Sequence, residues 1–190
     1  MSSSNELFIG MLSGTSRDGA DAVLVRFENR VPKLLTSMCV GYPPALASDL
    51  KQLIEQGLRP DDATLQRLDR DLAEFFALVA WGLLDKTGVA ASEIQALGSH
   101  GQTVWHHPFL PNPETIQLGD PQRMADLLGI RTVGHFRQAD LAAGGQGAPL
   151  APLLHKALLM PDRGIRAVVN IGGISNISLL HANGLVSGHD

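Results

Sequence analysis

Between Leu12 and Ala22 the chain reads Ser13-Gly14-Thr15-Ser16-Arg17-Asp18-Gly19-Ala20-Asp21, a run of glycines, hydroxyls and carboxylates. These residue types suit an anion. Gly14 and Gly19 lack Cβ atoms, so backbone N–H groups can approach a phosphate closely. Thr15 and Ser16 add hydroxyl donors, and Asp18 and Asp21 could hold a metal through water. The same composition fills ordinary hairpin turns, so the turn alone leaves both readings open. A second group, Ser99-His100-Gly101-Gln102-Thr103, follows the short run Ala96-Leu97-Gly98. Polar residues where a strand ends often border a site in α/β folds; a plain strand-to-loop exit is the other reading. His100, His106 and His107 lie close together in sequence, but without helical i, i+4 spacing or a cysteine to complete a zinc set, so no histidine metal site is expected. In a third group, Arg137 and Asp140 precede Gly144-Gly145-Gln146-Gly147, a loop that serves as a hinge, a ligand contact or both.

Positioning these groups requires strands and helices. Leu7 to Leu12 is an apolar strand, and Val23, Val25 and Phe27 keep strand spacing after the turn. A third strand from Lys33 to Tyr42 stops at Pro43-Pro44, giving an antiparallel meander. Leu46, Leu50, Leu53 and Ile54 share a helical face that ends near Gly57 and Pro60. Asp61 or Asp62 caps a longer helix whose apolar stripe, Trp81 included, runs from Leu65 to Leu83 and stops at Gly88. Further on the pattern predicts a strand over Thr115–Leu118, a helix from Asp120-Pro121 to Leu128, a strand over Arg131–Phe136 and a loop over Arg137–Leu150. A helix over Pro152–Leu159 and strands over Ala167–Ile171, Ser175–Leu180 and Leu185–Gly188 complete the α/β pattern, the last two joined by Asn183-Gly184. The expected architecture is a mixed sheet with flanking helices.

Composition narrows the function. The net charge is −4 with no Lys/Arg cluster, which argues against nucleic acid or an anionic membrane as partner. Cys39 is the single cysteine, so no intrachain disulfide forms, and a reducing cytoplasm is expected. No signal peptide or membrane span is legible. Walker A and G-x-G-x-x-G patterns are both missing. The Gly-Gly-Gln triplet also occurs in peptide-release factors, but no basic surface accompanies it. The opening plan of apolar strand, Gly/Ser turn and strand recurs around Gly172-Gly173, as a second phosphate-gripping turn would. With no helices after it, the sequence is expected to be an N-terminal piece of a two-lobed protein: residues 1–142 a first lobe, residues 143–190 a hinge, a helix and the first strands of a second.

Two phosphate turns flanking a cleft describe the actin, sugar-kinase and heat-shock ATPase architecture. In detail the sequence closely resembles the anhydro-N-acetylmuramic acid kinase family. The resemblance lies in GMLSGTSRDGAD (Gly10–Asp21), GSHGQTVWHHP (Gly98–Pro108), FRQADLAAGGQGAPL (Phe136–Leu150) and NIGGISNIS (Asn170–Ser178). It implies a ribonuclease H-like lobe of that architecture plus the beginning of a second. ATP and Mg²⁺ would be cosubstrate and cofactor, and the amino sugar 1,6-anhydro-N-acetylmuramic acid the substrate, opened and phosphorylated to N-acetylmuramic acid 6-phosphate in cell-wall recycling. Residues Gly14, Thr15, Ser16, Arg17, Asp18, Gly19, Ala20 and Asp21 would grip ATP. Asp190 would be the catalytic base, and Ser99, His100, Gln102, Arg137 and Asp140 candidates for the sugar side. Sugar kinases of the wider architecture often carry an acidic residue at the end of the first strand; Gly10-Met11-Leu12 has none, which moves the metal role to Asp18 or Asp21. The isolated piece is expected to be inactive, and a homodimer stays open. A non-catalytic or chaperone-type ATP-binding lobe of the same fold is the alternative, since fold alone does not fix function.

Overall fold

A computed structural model describes residues 6–14, 16, 18–29, 31–109, 111–172 and 175–189. Thr15, Arg17, Gly173 and Asp190, all named above, lie outside the described residues. Strands β1 (Leu7–Ser13), β2 (Gly19–Glu28) and β3 (Val31–Gly41) form an antiparallel meander. Strand β4 (Ile94–His107) returns parallel to β1 on its other side, giving the order β3-β2-β1-β4. A parallel return needs a crossover. Helices α1 (Pro44–Glu55) and α2 (Asp62–Thr87) supply it.

Two further strands divide β4 between them. Strand β5 (Glu114–Leu118) pairs antiparallel with its second half, from Gln102 to His107. After α3 (Pro121–Leu128), strand β6 (Thr132–Val133) pairs parallel with its first half at Leu97 and Gly98. Helices α4 (Phe136–Ala142) and α5 (Ala151–Leu159) lead to a separate antiparallel sheet of β7 (Ile165–Asn170), β8 (Asn176–His181) and β9 (Val186–His189). A three-stranded antiparallel meander whose first strand pairs on its free side with a parallel strand, which in turn pairs with another parallel strand, is the topology of a ribonuclease H-like lobe.

Strand periodicity builds the core. Leu7, Ile9 and Met11 are buried at alternate positions of β1, and Ala20, Ala22 and Leu24 at alternate positions of β2. Against the sheet, α2 buries Leu68, Leu72, Phe76, Val79 and Leu83, a stripe of helical spacing. The Asp61 carboxylate caps its first turn by accepting from the Thr64 amide at 2.9 Å, and Gly88 closes the helix at φ 68°. The next link is fastened from the same helix: Asp69 Oδ1 accepts the Gly119 amide at 2.7 Å, and a Cβ at Gly119 would meet the Phe76 ring at 2.5 Å.

The structure departs from the sequence pattern in four places. Trp81 lies on the open side of α2 and is 45% exposed. The strand expected to end after His100 continues to His107, because Gly101 bulges and β5 then supplies a partner. The strand expected over Arg131–Phe136 shrinks to Thr132–Val133. Phe136 opens α4, so Arg137 and Asp140 stand on a helix instead of in a loop.

Candidate functional site

The polar turn after β1 rests on a buried hydrogen-bonded group drawn from three strand ends and the middle of β4. Ser13 closes β1, Gly19 opens β2, Tyr42 follows β3, and Gln102 lies in β4 opposite Ser13. Ser13 and Gln102 are 3% and 2% exposed and Tyr42 8%, so each polar atom must find a partner inside the protein. The Tyr42 hydroxyl donates to Ser13 Oγ at 2.6 Å. Ser13 Oγ in turn lies 2.7 Å from both the Gly19 carbonyl and Gln102 Oε1. Gln102 Nε2 donates to Thr103 O at 3.1 Å and to Gly14 O at 3.4 Å. That fixes the amide with its oxygen toward the two hydroxyls. The Tyr42 backbone N–H donates to Asp18 O at 3.0 Å. Burial pushes the Tyr42 phenol up to about 12, against the opposing effect of its bond with Ser13, so it is a neutral donor.

Gly19 and Gly101 are required by this packing. A Cβ on Gly19 would sit 2.0 Å from the Val40 carbonyl oxygen. Gly101 has φ 72°, and a Cβ there would sit 2.5 Å from Leu118 O. Between the pairs Met11–Ser99 and Ser13–Gln102, β1 has one residue and β4 has two. This bulge lets Gln102 reach beneath the turn while His100 faces other partners.

Those partners are the third sequence group. Arg137 Nε donates to His100 Nε2 at 2.8 Å, and His100 Nδ1 lies 3.0 Å from Gly101 O. An accepting Nε2 makes the ring neutral with its proton on Nδ1. Burial depresses the His100 pKa; the bond to Gly101 O opposes this, and the Arg137 charge depresses it further. Arg137 Nη1 also donates to Gly147 O at 2.8 Å. The Asp140 carboxylate accepts the Gly147 amide at 2.7 Å, and a Cβ on Gly145 would meet it at 2.2 Å. The glycine loop is therefore wrapped around Asp140 and fastened through Arg137 to β4. Ser99 is buried in β4, and its Oγ has no hydrogen-bond partner among the described residues.

The metal candidates are on the surface. Asp18 and Asp21 are both exposed, Asp18 Oδ1 accepts from Ser16 Oγ at 2.7 Å, and both carboxylates raise the pKa of the Cys39 thiol, Asp21 the more strongly. No cluster of three or more metal-ligating side chains occurs among the described residues. Magnesium commonly binds through one or two carboxylates together with substrate phosphates, and Asp18 and Asp21 fit that mode.

Sequence reasoning named Gly14, Ser16 and Asp18, which lie in the turn, and Gly19, Ala20 and Asp21, which open β2. It also named five sugar-side candidates that the structure divides: His100 bonds to Arg137, Arg137 and Asp140 both bond to Gly147, Ser99 is buried in β4, and Gln102 lies beneath the turn. It passed over Tyr42, whose only signal was a phenol just past the third strand. In an antiparallel meander that position lies beside the start of the second strand, and hence beside the turn.

The topology and the glycine turn at the end of β1 define a ribonuclease H-like lobe of the kind found in actin-like ATPases and sugar kinases. The sequence profile of the anhydro-N-acetylmuramic acid kinase family matches residues 6–190. The chain belongs to that family. It is 46% identical over 186 residues to the anhydro-N-acetylmuramic acid kinase of Nitrosospira multiformis, covering 96% of this chain and 50% of that protein. It is 43% identical over 180 residues to the one from Shewanella amazonensis, covering 95% and 48%. The chain thus spans about half the length of these curated relatives. Among solved structures, an exopolyphosphatase from Cytophaga hutchinsonii matches with a TM-score of 0.45 at 13% identity, over 97% of this chain and 50% of that one. No described helix is long and apolar enough to cross a membrane.

Proposed function

We propose that this chain provides the phosphate-gripping lobe of a cytoplasmic kinase that uses ATP and Mg²⁺ to open 1,6-anhydro-N-acetylmuramic acid and phosphorylate it. Family membership over residues 6–190 carries this reading. The turn from Gly14 to Asp21 holds the nucleotide phosphates, and Asp18 and Asp21 accompany the metal, whose charge offsets that of the phosphates. The His100–Arg137–Asp140 cluster, with Ser99, faces the sugar. Asp190 takes a proton from water as the water oxygen bonds to the anomeric carbon and the bond from that carbon to the bridging oxygen breaks. The freed 6-oxygen takes the γ-phosphoryl group and ADP leaves. Residues 1–142 form the first lobe and residues 143–190 the hinge and the opening of the second.

The test is a hybrid in which this chain is continued by the part of the Nitrosospira multiformis relative outside the match. It should consume ATP only when the anhydro-sugar is present. Asp190→Asn should lower turnover by roughly 10²–10⁴-fold while sugar binding persists. ATP consumption indifferent to the sugar would overturn the proposed reaction. Turnover of the Asp190→Asn hybrid within a few-fold of the parent would remove Asp190 as the base.

A further inference from the structure

Three carbonyl oxygens of the turn are occupied from beneath. Gln102 Nε2 donates to Gly14 O at 3.4 Å, the Tyr42 amide to Asp18 O at 3.0 Å, and Ser13 Oγ to Gly19 O at 2.7 Å. A carbonyl oxygen repels a phosphate where an N–H attracts it, so an anion-binding turn must keep its carbonyls off the ligand side. A planar trans peptide points its N–H opposite to its C=O, so fixing one fixes the other. We propose that Tyr42, Ser13 and Gln102 are positioning residues that hold the carbonyls of this turn away from the nucleotide phosphates. The proposal rests on reading Gly14–Asp21 as the phosphate turn. It gives Gln102 a part beneath the nucleotide instead of on the sugar side.

The proton count makes Tyr42 decisive. Two hydroxyl protons, from Tyr42 and Ser13, serve three oxygens: Ser13 Oγ, Gly19 O and Gln102 Oε1. The Tyr42 oxygen lies 3.3 Å from Gln102 Oε1 as well as 2.6 Å from Ser13 Oγ. Its proton can therefore serve the amide while Ser13 serves Gly19. Without the phenol, the single Ser13 proton must choose between two buried acceptors 2.7 Å away. Tyr42→Phe isolates this effect, because the ring contact with Phe75 at 5.0 Å and the backbone bond to Asp18 O do not involve the hydroxyl.

Hydrogen exchange on the 190-residue chain tests the positioning directly. In Tyr42→Phe the amides of residues 13–19 should exchange roughly tenfold faster, as an unmet buried acceptor implies, with α2 unchanged. Ser13→Ala, which takes the donor from Gly19 O and is the smaller lesion for the ring packing, should do the same. Unchanged exchange in the turn overturns the proposal. In the hybrid, Tyr42→Phe should raise the KM for ATP roughly tenfold and leave the KM for the sugar unchanged. Faster exchange with an unchanged KM for ATP would overturn the phosphate-turn reading itself. Unchanged exchange with sugar-dependent turnover intact would overturn only the positioning role.

Discussion

The two hydrogen-bonded groups along β4 are built on opposite plans. Beneath the turn, Ser13, Tyr42 and Gln102 are neutral, buried and satisfied by one another and by backbone. Around His100, the charged Arg137 and Asp140 are half-buried and bond to the backbone of a glycine loop. A neutral buried group holds one shape across ordinary pH, because changing it strands a polar atom. A charged group near solvent can trade a backbone partner for a ligand at less cost. The first plan suits a part that must be rigid, the second a part that must respond.

The largest expected effects come from adding a single side chain to each group. Gly19→Val drives carbon into the Val40 carbonyl, where backbone of a paired strand leaves no room. Urea unfolding should show a loss of at least about 3 kcal/mol. Gly145→Ala meets the Asp140 carboxylate first, and that carboxylate can swing aside by giving up Gly147. Its loss should stay near 1–2 kcal/mol, roughly one charge-assisted hydrogen bond. A Gly145 variant less stable than the Gly19 variant would reverse the assignment of the rigid and responsive parts.

Removing polar atoms gives a smaller contrast. Tyr42→Phe leaves a buried acceptor unmet and should cost about 1–3 kcal/mol in a urea titration. Asp140→Asn keeps an oxygen for the Gly147 amide and should cost less than about 1 kcal/mol. Equal losses would mean that the Asp140 charge is as tightly sealed as the hydroxyl network.

Most of the fold is legible because its signals are local. Asp61 and Gly88 bracket α2, Asp120-Pro121 and Gly129 bracket α3, and alternation marks β1. What escapes notice depends on distant partners. Gly101 reads as the end of a strand, since nothing near it in sequence shows that β5 will pair beyond it. Helix α4 has no capping side chain and no buried residue, so it lacks both helical signals; the left-handed His135 starts it. In the site, the glycines and carboxylates announce themselves by type. The grouping of Ser13, Tyr42 and Gln102 does not, because their mutual bonds span 29 and 89 positions of sequence.

The finest contrast is one of pH. Once protonated, His100 can no longer accept from Arg137 and sets a second cation against it. Its pKa in the folded chain lies below that of an unfolded histidine, near ~6.5. At acid pH the unfolded chain therefore binds the proton more readily. The stability this group contributes is complete above ~6.5 and is lost as the pH falls through the folded value. Tyr42 behaves in the reverse sense. Its phenol is raised from 10.0 to about 12, so its contribution is complete below 10.0 and is lost as the pH rises through about 12. Urea midpoints for the parent and His100→Gln, which keeps an acceptor for Arg137 but does not titrate, should diverge as the pH falls below about 6.5. The parent should lose the more, and every other acidic-range group cancels in the difference. Parallel curves would show that His100 titrates alike folded and unfolded, and that the Arg137 bond does not seal it. Tyr42 is the only tyrosine, so its absorbance reports the phenol directly; ionisation near 10 in the folded chain would show that the neutral network is open to water.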